Sequence, residues 1–70
     1  MAEVLAPLAG KIWEVLVAVG ATVEEDDELL VIEALKMENT VYASSSGTVK
    51  EIRVKKGDSV EDEDLLMIIE

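Results

Sequence analysis

The chain contains neither cysteine nor histidine. The first absence excludes a disulfide framework and a thiolate metal site. The second removes the commonest general base, the commonest metal ligand and the usual pH switch. There is no phenylalanine, and Trp13 and Tyr42 are the only aromatic residues, so any core must be aliphatic. Positive charge is scarce: six Lys and Arg against sixteen Asp and Glu, a formal net charge of −10. Such a chain is repelled by the phosphate backbone of nucleic acid and by anionic membrane surfaces. No apolar run approaches the roughly 20 residues of a membrane-spanning helix. The opening Met1-Ala2-Glu3-Val4 lacks the basic and long apolar regions of a signal peptide. These features lead us to expect one soluble, cytoplasmic domain over residues 1–70, monomeric in isolation, with no nucleic-acid partner and no membrane insertion. A domain this small buries only about 60% of the surface its unfolded chain exposes. Its stability must come from the half of the chain that is hydrophobic. Val, Ile and Leu dominate that half, a composition suited to strands.

Shifted by 37 positions, the sequence matches itself. Residues 6–33 read APLAGKIWEVLVAVGATVEEDDELLVIE and residues 43–70 read ASSSGTVKEIRVKKGDSVEDEDLLMIIE. Eleven of 28 aligned pairs are identical, including Gly10/Gly47, Glu14/Glu51, Gly20/Gly57, Val23/Val60, Asp27/Asp64, Leu29/Leu66 and Ile32/Ile69, where chance gives roughly two. Two copies are too few for a solenoid and suit two interlocked halves related by a pseudo-two-fold axis. Each half opens on a glycine and continues in a β-branched stretch (12–19 and 49–54). A glycine turn follows (Gly20, Gly57), then a short Thr22-Val23 or Ser59-Val60 piece, an acidic cluster and an apolar strand.

Closely spaced turn signals between short apolar runs predict an all-β fold, a flattened barrel or sandwich. The expected inward set is Val4, Ile12, Val15, Val17, Val23, Leu29, Val31, Val49, Ile52, Val54, Val60, Leu66 and Ile68. Along 12, 15, 17 and along 49, 52, 54 the inward parity changes once, which predicts a one-residue bulge in each half. Gly10, Gly20, Gly47 and Gly57 read as turn residues and Met67 as core filler. Trp13 aligns with Lys50, so it is expected outward or half-exposed.

The halves are joined by Ala34–Tyr42, with strands expected on either side, residues 29–33 before and 38–43 after. The simplest connection is a β-hairpin turning at Leu35-Lys36. That turn has no Gly, Asn or Asp, although both central residues of a type I′ turn need φ > 0. A poor turn sequence at the centre of a regular duplication points to another constraint on residue choice there. Lys36 is also the sole basic residue between Lys11 and Lys50. Composition alone would make a lone lysine at a hairpin tip an ordinary solvated residue.

The segment Glu33-Ala34-Leu35-Lys36-Met37-Glu38 resembles the Ala-Met-Lys-Met attachment motif of biotin carboxyl carrier domains. Ala6-Pro7-Leu8-Ala9-Gly10 is similar to that family's opening, and Val54-Lys55-Lys56-Gly57-Asp58-Ser59-Val60 to its Val-x-x-Gly-Asp-x-Val stretch. The resemblance covers essentially the whole chain. It implies a barrel-sandwich hybrid of two four-stranded antiparallel sheets with the attachment lysine at a hairpin tip. It implies covalent biotin on Lys36, with Ala34, Leu35 and Met37 as the ligase-recognition motif and Glu33 and Glu38 flanking it. The implied partners are a biotin protein ligase, which presents biotinyl-adenylate to the lysine, then a biotin carboxylase and a carboxyltransferase or decarboxylase subunit. The chain would carry a carboxyl group between them and would not be an enzyme itself.

Two departures stand out. Leu35 replaces the family's usual Met, a change of similar volume and polarity. Glu24-Glu25-Asp26-Asp27-Glu28 fills with charge a turn where many relatives carry glycine. A lipoyl-type acyl carrier domain is the nearest alternative, although its usual Asp-Lys-Ala tip is not matched. An unmodified barrel-sandwich interaction module is a second alternative. The acidic clusters at 24–28 and 61–64 lack EF-hand spacing and read as solvated turns that discourage edge pairing, so no metal site is expected.

Overall fold

The structure, a computed structural model, describes residues 2–70. They form eight strands: β1 (Ala2–Leu5), β2 (Gly10–Val15), β3 (Thr22–Val23), β4 (Glu28–Ala34), β5 (Met37–Tyr42), β6 (Gly47–Ile52), β7 (Ser59–Val60) and β8 (Leu65–Ile69). Two four-stranded sheets result, in the orders β1-β8-β6-β3 and β5-β4-β2-β7, with every pairing antiparallel. The 37-residue shift maps β2 onto β6, β4 onto β8, β3 onto β7 and β1 onto β5, so it exchanges the two sheets. Each sheet takes its two central strands from one half and both edge strands from the other. The halves are thus interlocked and bury one shared core, as the duplication implied.

The bulge expected in each half is present, with Trp13 and Lys50 as the extra residues. Ile12 pairs with Ile32 and Glu14 with Val31, which leaves Trp13 unpaired. Val49 pairs with Ile69 and Glu51 with Ile68, which leaves Lys50 unpaired. The β-branched stretches end sooner than expected, at Val15 and Ile52. Val17 and Val54 leave the ladder but still pack partly buried against the core.

A second pair of bulges corrects the predicted facing of β4 and β8. Leu29 is extra between the rungs Glu28↔Tyr42 and Leu30↔Val41, and Leu66 between Leu5↔Leu65 and Val4↔Met67. Both members of Leu29-Leu30 and of Leu66-Met67 therefore point inward and are fully buried, followed by Ile32 and Ile69. Val31 and Ile68, expected inward, are only half-buried. Because all four residues from Leu29 to Ile32 are apolar, alternation could not reveal the slip. The rest of the expected set is buried or packed on the core, which also takes in Ala6, Val41 and Ala43.

Gly20 and Gly57 are turn residues with φ of 94° and 95°. Gly10 and Gly47 instead lie inside strands, which corrects the turn reading. A Cβ on Gly10 would sit 2.6 Å from the Glu33 carbonyl oxygen and 2.6 Å from Ile32 Cγ2, and one on Gly47 2.5 Å from the Glu70 carbonyl oxygen. These two glycines are set by close approach of the neighbouring strand.

The acidic clusters form two matching turns. Asp27 N–H donates to the Glu24 carbonyl (3.0 Å) and Asp64 N–H to the Glu61 carbonyl (3.1 Å). The third residue of each, Asp26 and Glu63, has φ near 70°, the type II pattern that favours glycine. The Asp27 carboxylate accepts from the Glu24 N–H, and the Asp64 carboxylate from the Glu61 N–H, each at 2.8 Å. Part of each cluster therefore closes its own turn. Among the described residues no group of three or more acidic side chains is placed to hold a metal ion.

Candidate functional site: a strained two-residue tip

The site begins in the core. Leu29, Leu30 and Ile32 of β4 are fully buried, and β4 is flanked on both sides, by β2 and β5. The β4–β5 ladder continues from Ile32↔Asn39 through Glu33↔Glu38 to Ala34↔Met37. Each strand thus runs one residue further toward the tip than the sequence suggested. Leu35 and Lys36 alone make the turn, with φ of 53° and 64°. Both central residues are left-handed, as a type I′ turn requires.

A non-glycine residue in that region costs energy, because Cβ crowds the following carbonyl. Two such residues in succession, without Gly or Asn, persist only on a well-supported scaffold. Here the support is β4, pinned by its buried leucines and by paired strands on either side. Side-chain exposure sharpens the picture. Leu35 is 95% exposed and Met37 67% exposed. These are two large apolar groups that contribute nothing to the core and stand on either side of an exposed lysine. Lys36 makes no ion pair or hydrogen bond among the described residues. Glu33 and Ala34 are half-buried and Glu38 is exposed. The paired Glu33 and Glu38 put two like charges opposite each other, an unfavourable cross-strand arrangement.

All six residues singled out in the sequence, 33–38, thus fall on one hairpin end. A free primary amine, held clear of the protein on a rigid stem between exposed apolar side chains, suits covalent acylation in another protein's active site. The site fits an amide-linked group such as biotin, since no neighbouring side chain has to move to admit it.

Sequence reasoning did not identify a groove on the outer face of the β5-β4-β2-β7 sheet. Its volume is about 230 Å³, and Lys11, Ile12, Trp13, Glu33, Lys56 and Gly57 line it. The 53–58 loop is tied across β2 there. Gly57 N–H donates to the Ile12 carbonyl (2.8 Å) and Ile12 N–H to the Asp58 carbonyl (2.7 Å). Trp13 is 47% exposed, as its alignment with Lys50 suggested, and it stands beside this loop. The nearest sequence signal was the unmatched Trp13/Lys50 pair.

Comparison with known proteins agrees with the geometry. Residues 2–69 match the family model described as biotin-requiring enzyme. The chain is 53% identical over 38 residues to a biotin carboxyl carrier protein of Streptococcus mutans serotype c, covering 54% of this chain and 29% of that one. It is 51% identical over 41 residues to the mitochondrial methylcrotonoyl-CoA carboxylase subunit alpha of Oryza sativa subsp. japonica, covering 59% of this chain and 6% of the relative. Among solved structures, the urea carboxylase of Kluyveromyces lactis superposes with a TM-score of 0.92 at 40% identity, over 97% of this chain and 6% of that one. A single-chain, multi-domain long-chain acyl-CoA carboxylase superposes with a TM-score of 0.89 at 30% identity, over 94% of this chain and 7% of that one. The chain belongs to the biotin-requiring enzyme family, as a biotin carrier domain. It spans less than a third of the length of each of these relatives.

Proposed function

We propose that Lys36 is the residue to which biotin is joined, and that the domain carries a carboxyl group between the sites of a biotin-dependent carboxylase, decarboxylase or transcarboxylase. The observation that carries this reading is the Leu35-Lys36 turn: two left-handed non-glycine residues, a fully exposed leucine and an unpaired amine, in a chain of the biotin-requiring family. Attachment belongs to a separate biotin ligase. The Lys36 amine, as the free base, attacks the acyl carbon of AMP-activated biotin. The amide C–N bond forms, the bond from the acyl carbon to the phosphate oxygen breaks with its electron pair leaving on AMP, and the ligase takes the proton from Nζ. The usual general base, histidine, is absent from the chain, and the ligase supplies the base. Leu35 and Met37 supply the apolar contacts by which the ligase reads the tip.

When attached, biotin supplies a ureido nitrogen that accepts and gives up a carboxyl group. The domain's own contribution is presentation. The stiff hairpin keeps the arm's root fixed while the arm visits two active sites, which makes each transfer effectively intramolecular. The partners are a biotin carboxylase and a carboxyltransferase or decarboxylase, in the cytoplasm. The domain acts as one monomeric unit over residues 1–70 and catalyses nothing itself.

The test is intact mass after incubation with biotin ligase, ATP and biotin. One biotin adduct mapping to Lys36 is expected, and none in Lys36→Arg, which keeps the charge but not the acylable amine. Labelling retained in Lys36→Arg would refute the assignment. A lipoyl adduct from a lipoate ligase, with no biotin adduct, would move the domain to acyl transfer.

A further inference from the structure

The internal duplication supplies a control for the groove on the outer face of the β5-β4-β2-β7 sheet. Anything that the fold itself needs at one position is needed at its counterpart 37 residues away. Ile12 and Val49 correspond and are both buried. Gly57 and Gly20 correspond, with the same positive φ. Glu33 and Glu70 are identical. The other three lining residues have no like counterpart: Lys11 corresponds to Thr48, Trp13 to Lys50 and Lys56 to Val19. The fold therefore tolerates Thr, Lys and Val at these places. Folding does not explain the chain's sole tryptophan, half-exposed on a bulge, or two of its six cations beside it. Lys11 and Trp13 come from the first copy and Lys56 from the second, and they meet at the sheet whose β4 leads to Lys36.

We infer that this groove is a resting site for the head of the arm that Lys36 carries. The inference rests on biotin being attached at Lys36. The chemistry matches group by group. A cyclic urea fused to a thioether ring has one strong acceptor, two N–H donors and an apolar edge. The ammonium groups of Lys11 and Lys56 donate to the urea oxygen, the Glu33 carboxylate accepts from the N–H groups, and the indole face of Trp13 covers the sulfur-containing ring. The volume of about 230 Å³ suits a small bicyclic group and is below the range of drug-sized ligand pockets.

The reach also agrees. Glu33, at the near rim, is three residues from Lys36. Trp13 lies level with the stretch between Ile32 and Val31, roughly 15 Å from Lys36 along the strand at about 3.3 Å per residue. The lysine side chain and the acyl chain together extend about 13 Å before the bicyclic head begins, from ordinary bond lengths. The arm thus reaches the groove by folding back along β4, and leaves it when an active site competes for the head. Docking lowers the fraction of arms free to bind elsewhere without blocking transfer.

The experiment uses the full chain, biotinylated and verified by intact mass. Failure at that step concerns Lys36, not the groove. Trp13 emission and the amide spectrum are then compared between the biotinylated and unmodified protein. The expected result is a blue shift of Trp13 emission, with amide shifts at Lys11, Trp13, Lys56 and Gly57 as well as at 35–37. Amide changes confined to 35–37, with unchanged emission, would overturn the inference and leave the patch as a surface for a protein partner. In the biotinylated double variant Lys11→Thr, Lys56→Val, which borrows the residues of the other half, the emission shift is lost. A shift that survives overturns the role given to the lysines. Finally, streptavidin captures biotinylated Trp13→Lys roughly two- to fivefold faster than the native chain, as follows if half or more of the heads are docked. Equal capture rates overturn the inference.

Discussion

Replacing Leu35-Lys36 by Asn-Gly should stabilise the domain while destroying its attachment site. Both residues are left-handed, with φ of 53° and 64°, and an L-residue with a Cβ pays about 1–2 kcal/mol there. Asn tolerates this region and Gly enters it freely, although Gly returns about 0.5–1 kcal/mol through the entropy of the unfolded chain. The hydrophobic term is negligible, because Leu35 is 95% exposed and its removal gives up almost no buried area. Loss of the Lys36 charge makes the net charge one unit more negative. Measurement in 1 M salt, where the Debye length is about 3 Å, removes most of that contribution. The net expectation is a gain of about 1.5 kcal/mol. In a domain of this size, 1 kcal/mol moves Tm by about 4–8 °C, so thermal unfolding followed by circular dichroism should shift upward by roughly 6–12 °C. An unchanged or lower Tm would refute the claim that the tip is strained, and with it the argument that something other than folding selected these two residues.

Asp26→Gly and Glu63→Gly test the same physics away from the tip: each relieves a left-handed acidic residue and should add about 0.5–1 kcal/mol in denaturant titration. The two gains should be nearly equal, since the turns are related by the repeat. Gly10→Ala should cost about 2–3 kcal/mol by overpacking, because the new methyl meets the Glu33 carbonyl and Ile32 on the neighbouring strand β4. Gly47→Ala should cost a similar amount, because the Glu70 carbonyl and Ile69 that it meets are held by the two hydrogen bonds that Glu70 exchanges with Thr48, 3.0 and 2.8 Å. Urea unfolding midpoints of the two variants give that comparison directly. Asp64→Ala removes the carboxylate that accepts from the Glu61 N–H at 2.8 Å and should cost about 1 kcal/mol, read in the same titration.

Several features were legible because local chemistry and the global fold pulled the same way. The shift of 37 residues announced interlocked halves, since any pattern that both copies keep must serve both. The bulges at Trp13 and Lys50 could be read because apolar and polar residues alternate around them, so a change of parity shows. The left-handed tip could be read from what Leu35 and Lys36 are not: a two-residue hairpin demands φ > 0, and neither Gly nor Asn was there to supply it.

Other features were decided only in three dimensions. The bulges at Leu29 and Leu66 lie in continuous apolar runs, where a slip of one residue leaves the pattern unchanged, so only contact with the opposite sheet selects Ile32 over Val31. Gly10 and Gly47 look like turn glycines in a list of residues. They are strand glycines because a neighbouring backbone passes within 2.6 Å of where a Cβ would stand. The groove of Lys11, Trp13, Glu33 and Lys56 joins residues up to 45 positions apart, and no spacing rule connects them. The sequence by itself determined what is local or repeated: strand class, duplication, the turn and the amine it carries. The tertiary structure decided what depends on distance between separate segments: which apolar face is buried, which glycines are crowded, and which surface residues meet.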